Sequence, residues 1–176
     1  MIKDIESNLQ EVYDTYPYVK RILLPTKYEF PIMLEGYLVT SEDCQLYHIK
    51  CEDDAALCSF YARVIIKNDY IVNGIEVYDL KKKIPAKYII EIHNEHAHFN
   101  GIDTTYGTLL CTHIRQDFSE YKNPILHMMN SAHYLYLSYI NLLNDNEFVM
   151  DEYSHGRKGI EEFENERRGK YGTRKH

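Results

Sequence analysis

An α+β fold in one domain is predicted by three features of the sequence: a helical apolar stripe at the start, strand-like alternation through the middle, and the longest helical periodicity beginning only at Pro124. Strands grouped together and flanked by helices pair antiparallel, because parallel strands need a crossover between each pair. The expected order is an N-terminal helix, an antiparallel sheet of about four strands, an irregular loop, a long central helix and a short C-terminal helix. With 176 residues the chain is long enough for one ordinary core. The division expected is a domain over 1–150 and a charged helix and tail over 151–176.

Ile2, Ile5, Leu9, Val12, Tyr13 and Tyr16 recur at intervals that put them on one stripe of a helix stopped at Pro17, with Asp4, Glu6, Glu11 and Asp14 on the other side. A strand is expected around Ile32 to Thr40, interrupted by Gly36. From Cys44 to Cys51, Tyr47, Ile49 and Cys51 alternate with His48 and Lys50, and this too reads as a half-buried strand. Phe60, Ala62, Val64 and Ile66 alternate with Tyr61, Arg63, Ile65 and Lys67 in a further strand. Asn73-Gly74 lies between Ile71-Val72 and Ile75-Glu76-Val77, and Asn-Gly suits a tight hairpin turn. The basic run Lys81 to Lys83 leads through Pro85 to a strand at Tyr88 to Ile92. Ile125, Met128, Met129, Ala132, Leu135, Tyr136, Tyr139, Ile140 and Leu143 then mark a helix from Pro124 to Asn144. Beyond Asp151 both charges are dense, and Ile160 and Phe163 are the main apolar pair of a weakly docked helix.

Composition narrows the function. The formal net charge of -7 argues against general nucleic-acid binding, which needs clustered cations to displace counterions. No apolar run reaches the roughly 20 residues of a membrane span, and the polar start is no signal peptide, so a cytoplasmic protein is expected. Cys44, Cys51, Cys58 and Cys111 make no CxxC pair, so a disulfide framework and a four-cysteine zinc site are both disfavoured. Each cysteine is then either core or nucleophile. The seven-residue spacing of the first three falls in strand-like sequence and is read as chance.

Chemistry concentrates between His93 and His113, which holds four of the nine histidines and the isolated Cys111. His98-Phe99-Asn100 precedes Gly107-Thr108-Leu109-Leu110-Cys111, and a long amphipathic helix follows. The pattern resembles the ubiquitin-conjugating (E2) enzyme family, in which a proline-containing segment leads to His-Pro-Asn, a Gly-x-x-Cys nucleophile and a helix. The likeness covers Pro85 to Leu143, and element order supports it elsewhere. Phe99 stands where the family has proline, the loop from Asn100 to Cys111 is longer, and Gly107 lies four residues before the cysteine instead of three. These departures look more like the divergent members of bacterial antiphage operons, including the cyclic-oligonucleotide signalling systems.

The resemblance implies a thioester on Cys111, Asn100 as a donor to the oxyanion, and His98 as a structural organiser of the loop. It also implies three partners: an activating enzyme docking on the first helix, a carried ubiquitin-like protein or cyclic-nucleotide synthase, and target protein lysines. No cofactor or metal is expected. From the residues themselves, Cys111 suits acyl carriage because a thiolate both attacks and leaves readily. A neutral amide such as Asn100 can stabilise a tetrahedral oxyanion, although Asn100-Gly101 equally suits a left-handed bend. His113 can orient the thiol or take a proton from the amine. Asp145 and Asp151 follow the helix near the place of the family's acidic gate residue, and a solvated helix end accounts for them as well.

Three other readings are weighed. His93, His96 and His98 suggest zinc, yet His93-Asn94-Glu95 lacks the Pro-Cys-x-x-Cys of a zinc deaminase. His96-Ala97-His98 resembles the paired histidines of JAMM isopeptidases, and Leu109 stands where that family has its aspartate. A cysteine protease would set Cys111 at a helix N-terminus, and the helix expected here starts well beyond it. A non-catalytic scaffold with a tyrosine-rich surface is the last, given seventeen tyrosines and no tryptophan.

Overall fold

The structure, a computed structural model, describes residues 2–22, 30–68, 70–71, 74–84, 99–103, 107–110 and 121–145. In chain order the elements are α1 (Ile2–Thr15), β1 (Val19–Ile22), β2 (Ile32–Tyr37), α2 (Ser41–Leu46), α3 (Glu52–Cys58), β3 (Tyr61–Ile66), β4 (Ile75–Asp79), β5 (Phe99–Asp103), β6 (Gly107–Leu110) and α4 (Pro124–Asp145). The expected α+β class holds.

Among the described residues the sheet has six strands in the order β1-β2-β3-β4-β6-β5, and every neighbouring pair is antiparallel. This corrects the expectation of about four strands. β1 is too short to show a period, and β5 and β6 lie within the segment read as irregular. Gly36 does not interrupt β2, because it stays in register between Val19 and Ala62. A Cβ there would sit 1.9 Å from the Tyr18 carbonyl oxygen, so only glycine lets β1 approach.

One face of the sheet is closed by α1 and α4. Ile5, Leu9, Val12 and Tyr16 of α1 pack with Leu34, Phe60, Ala62, Val64, Ile66 and Val77 and with Ile125, Met129, Ala132 and Leu135 of α4. Burying each large apolar side chain contributes about 1.5–3 kcal/mol, so this layer dominates the stability. α4 starts where predicted because Asn123 caps it. Its Oδ1 accepts from Leu126 N at 3.1 Å, and its Nδ2 donates to Asn8 O and Glu11 Oε2, which ties the helix start to α1.

The opposite face carries a polar ladder. Lys20, Glu35, Arg63 and Tyr78 succeed one another across β1 to β4, and Arg63 Nε donates to Glu35 Oε1 at 2.6 Å. At one end of this face Tyr37, Val39, Ile49 and Ala55 form a second, smaller core. That core belongs to α2 and α3, which replace the strand expected from Cys44 to Cys51. Thr40 and Asp43 form a reciprocal capping box, and Glu52, Asp53 and Asp54 load the first turn of α3 with acid. Of the three alternating residues only Ile49 is buried, while Tyr47 is 64% exposed.

The turn between β3 and β4 is also wider than expected. Ile66 pairs with Ile75, and Lys67 N donates to Gly74 O at 2.6 Å, so residues 67–74 make the connection. Asn73 lies outside the described residues, as do Tyr88 to Ile92 and everything from 146 onward.

Candidate active site

The described part of the histidine and cysteine segment is a hairpin, which corrects the irregular loop expected there. β5 and β6 pair Asp103 with Gly107, Ile102 with Thr108 and Phe99 with Leu110, with a register shift between Phe99 and Ile102. β6 also pairs with β4, Tyr78 opposite Leu109 and Asp79 opposite Thr108. Leu110 is anchored in the main core and Thr108 is buried. The strand that leads to Cys111 is therefore fixed on both sides.

Gly107 begins β6 at φ +89, in the left-handed region. A Cβ there would lie 2.3 Å from the Asp79 carbonyl oxygen, against backbone that cannot yield cheaply. The glycine of the Gly-x-x-x-Cys run is thus required by the close approach of β4, independently of any role in chemistry.

Asp79 is the residue that sequence reasoning missed. It is fully buried, and its Oδ2 accepts from Ile84 N at 2.8 Å. The backbone N–H dipoles of Lys81, Lys82 and Lys83 also favour its charged form, and Lys82 takes φ 50 in the turn. Burial pushes the carboxyl above its ordinary range, and those backbone donors oppose the rise. Among the described residues Oδ1 has no hydrogen-bond partner. The available signal was one acid at the end of an apolar run, directly ahead of Leu80 and three lysines.

Asn100 is the one predicted site residue within the described backbone, in β5 beside Phe99. Cys111, His98 and His113 lie outside the described residues, as do His93, His96, Pro85 and Asp151. Asp145 is the last residue of α4. What the hairpin brings together is the flanking pair: Phe99, which follows His98 in the chain, is opposite Leu110, which precedes Cys111.

The other cysteines are not core residues as a group. Cys51 and Cys58 are exposed, and Cys44 is half-buried on α2. Burial raises the Cys44 thiol pKa, with Asp43 and Cys58 adding to the rise, so Cys44 is a poor nucleophile near neutral pH. Among the described residues no group of three or more His, Cys, Asp or Glu side chains is arranged to hold a metal. No described helix is long and apolar enough to cross a membrane. Comparison with protein-family models, curated proteins and solved structures finds no match to this chain.

Proposed function

We propose that this chain is a ubiquitin-conjugating-like acyl carrier. It holds the carboxyl terminus of a ubiquitin-like protein or cyclic-nucleotide synthase as a thioester on Cys111 and passes it to lysine amines, in bacterial antiviral defence. The observation that carries the reading is the pairing of Phe99 with Leu110. It makes Phe99-Asn100 and the Gly107–Leu110 run, which in sequence directly follow His98 and directly precede Cys111, neighbouring strands of one hairpin. The order of a first helix, an antiparallel sheet and a long helix after the cysteine agrees with it.

In this mechanism the Cys111 thiolate attacks the carbonyl carbon of the activating enzyme's thioester. The new carbon–sulfur bond forms as the old one breaks, and the activating enzyme leaves as a thiolate. A deprotonated lysine amine then attacks the Cys111 thioester, and the Asn100 amide donates to the tetrahedral oxyanion. The collapse expels the Cys111 thiolate and forms an amide, and the proton lost by the amine passes to His113 or water. His98 organises the loop, as the resemblance implies.

Purified chain incubated with its activating enzyme, ATP and the carried protein tests the reading. Cys111→Ser accumulates a stable ester, and Asn100→Ala loads normally and discharges more slowly. Loading that persists on Cys111→Ala rejects it.

A further inference from the structure

A second site lies away from the hairpin, where the end of α1, the start of α2 and the middle of α4 border an open cleft of about 570 Å³. Tyr16 is buried beneath it, and its hydroxyl donates to Asn130 Oδ1 at 2.8 Å. His133 packs edge-on to the Tyr16 ring, with its Nε2 3.7 Å from Asp43 Oδ2. Ser41 Oγ donates to Asp14 O at 2.6 Å, which ties α2 to α1, and the Thr40–Asp43 capping box fixes the start of α2. The walls are thus held before any ligand arrives.

The field inside is negative. Asp14 and Glu42 line the cleft and Asp43 stands behind His133, while no lysine or arginine is among the described lining residues. α1 ends here with no basic residue in its last turn, so the negative end of its dipole is not offset by its own side chains. Burial lowers the pKa of His133, with Asp43 opposing, and this keeps the imidazole neutral near neutral pH. On α4, Tyr134 and Leu137 add an apolar wall and are 47% and 45% exposed.

We propose that this cleft receives a lysine or arginine side chain presented by a partner protein. The cationic head meets Asp14 and Glu42, the Asn130 amide is in reach, and the aliphatic stem lies along Leu137 and the face of Tyr134. A metal ion is the poorer fit, because no metal-ligating group of side chains occurs among the described residues and a hard ion gains nothing from the apolar wall. A volume within the range of ligand pockets accommodates one long side chain and not a folded segment. This inference is independent of the thioester reading, since none of these residues belongs to β5 or β6.

The test is a titration of the isotope-labelled full-length chain followed by its amide resonances, with the Nα-acetyl methylamides of arginine, lysine and norleucine as probes and putrescine as a free diamine. The cationic amino-acid probes shift Glu42, Asn130, His133 and Leu137, and norleucine does not. The double variant Asp14→Asn, Glu42→Gln weakens the arginine probe about fivefold to tenfold. Both positions are exposed, and an unchanged unfolding midpoint verifies that the variant is folded. Equal shifts with norleucine, no localised shift, or unchanged affinity in the double variant overturns the proposal. Putrescine binding more tightly than either amino-acid probe also overturns it, because the ligand is then a free amine.

Discussion

Replacing Gly107 by alanine tests the claim that the hairpin is held by the close approach of β4 and β6. At φ +89 an L residue costs about 1–2 kcal/mol relative to glycine. The added Cβ meets three backbone atoms, Asp79 O at 2.3 Å, Leu80 Cα at 2.8 Å and Asp79 C at 2.9 Å. Ordinary contact begins near 3.4 Å, so the strands must separate by more than an ångström at this point. The bonding around the Asp79–Thr108 and Tyr78–Leu109 pairs is what such a separation strains, and each backbone hydrogen bond is worth about 1 kcal/mol net. The sum is about 2–4 kcal/mol, or a fall in Tm of roughly 5–15 °C for a chain of this size. Urea and thermal unfolding followed by tyrosine fluorescence read the change, since the chain has seventeen tyrosines and no tryptophan. If Gly107→Ala stays within about 0.5 kcal/mol of the parent, the surface-substitution range, then the close approach is not a constraint and the reasoning fails.

Two further outcomes follow from buried titratable groups. Asp79→Ala leaves the Ile84 N–H of the turn without its acceptor and costs about 1–3 kcal/mol in urea unfolding. Burial raises the Asp79 pKa, so its favourable contribution is full below the ordinary carboxylate value near 3.9 and is lost as pH rises through the folded value; Asp79→Asn removes that part of the pH dependence. Burial lowers the pKa of His133, so the unfolded chain binds its proton first and stability falls as pH drops below about 6.5, with a slope of at most about 1.4 kcal/mol per pH unit from this group. Urea midpoints compared between about pH 8 and pH 5 show a flatter profile for His133→Gln, and an unaltered profile contradicts the assignment.

The long-period signals read correctly and the short ones did not, for physical reasons visible at particular residues. The stripe of α1 and the nine apolar positions of α4 sample several turns each, and the alternation of Phe60 to Ile66 holds except at Ile65, which is buried on the other face. Tyr47, Ile49 and Cys51 offered only three alternating positions, and the capping chemistry of Thr40 with Asp43 outweighed them. That signal was present in the sequence as a threonine with an acid three residues later. β1 carried four residues after Pro17, with one buried side chain, too few for any period. At the candidate site, the residue types were legible and the pairing was not, because register depends on contacts to β4 that lie far away in sequence.

β4 ends in a single residue that governs both approaches to that site. Through its side chain Asp79 holds the turn at Lys81 to Ile84, which leads toward Pro85, and through its backbone it pairs with Thr108 and confronts Gly107. A fully buried carboxyl with one oxygen unpartnered among the described residues is a costly way to order a turn, since burial disfavours its charged form. The cost is only partly offset by the Ile84 N–H bond and the backbone dipoles of Lys81 to Lys83, since burial remains the larger effect. Leu110, two residues beyond the Asp79–Thr108 pair, is then sunk in the core beneath α4. The end of β6 at Leu110 is therefore set by the core on one side and by Asp79 on the other.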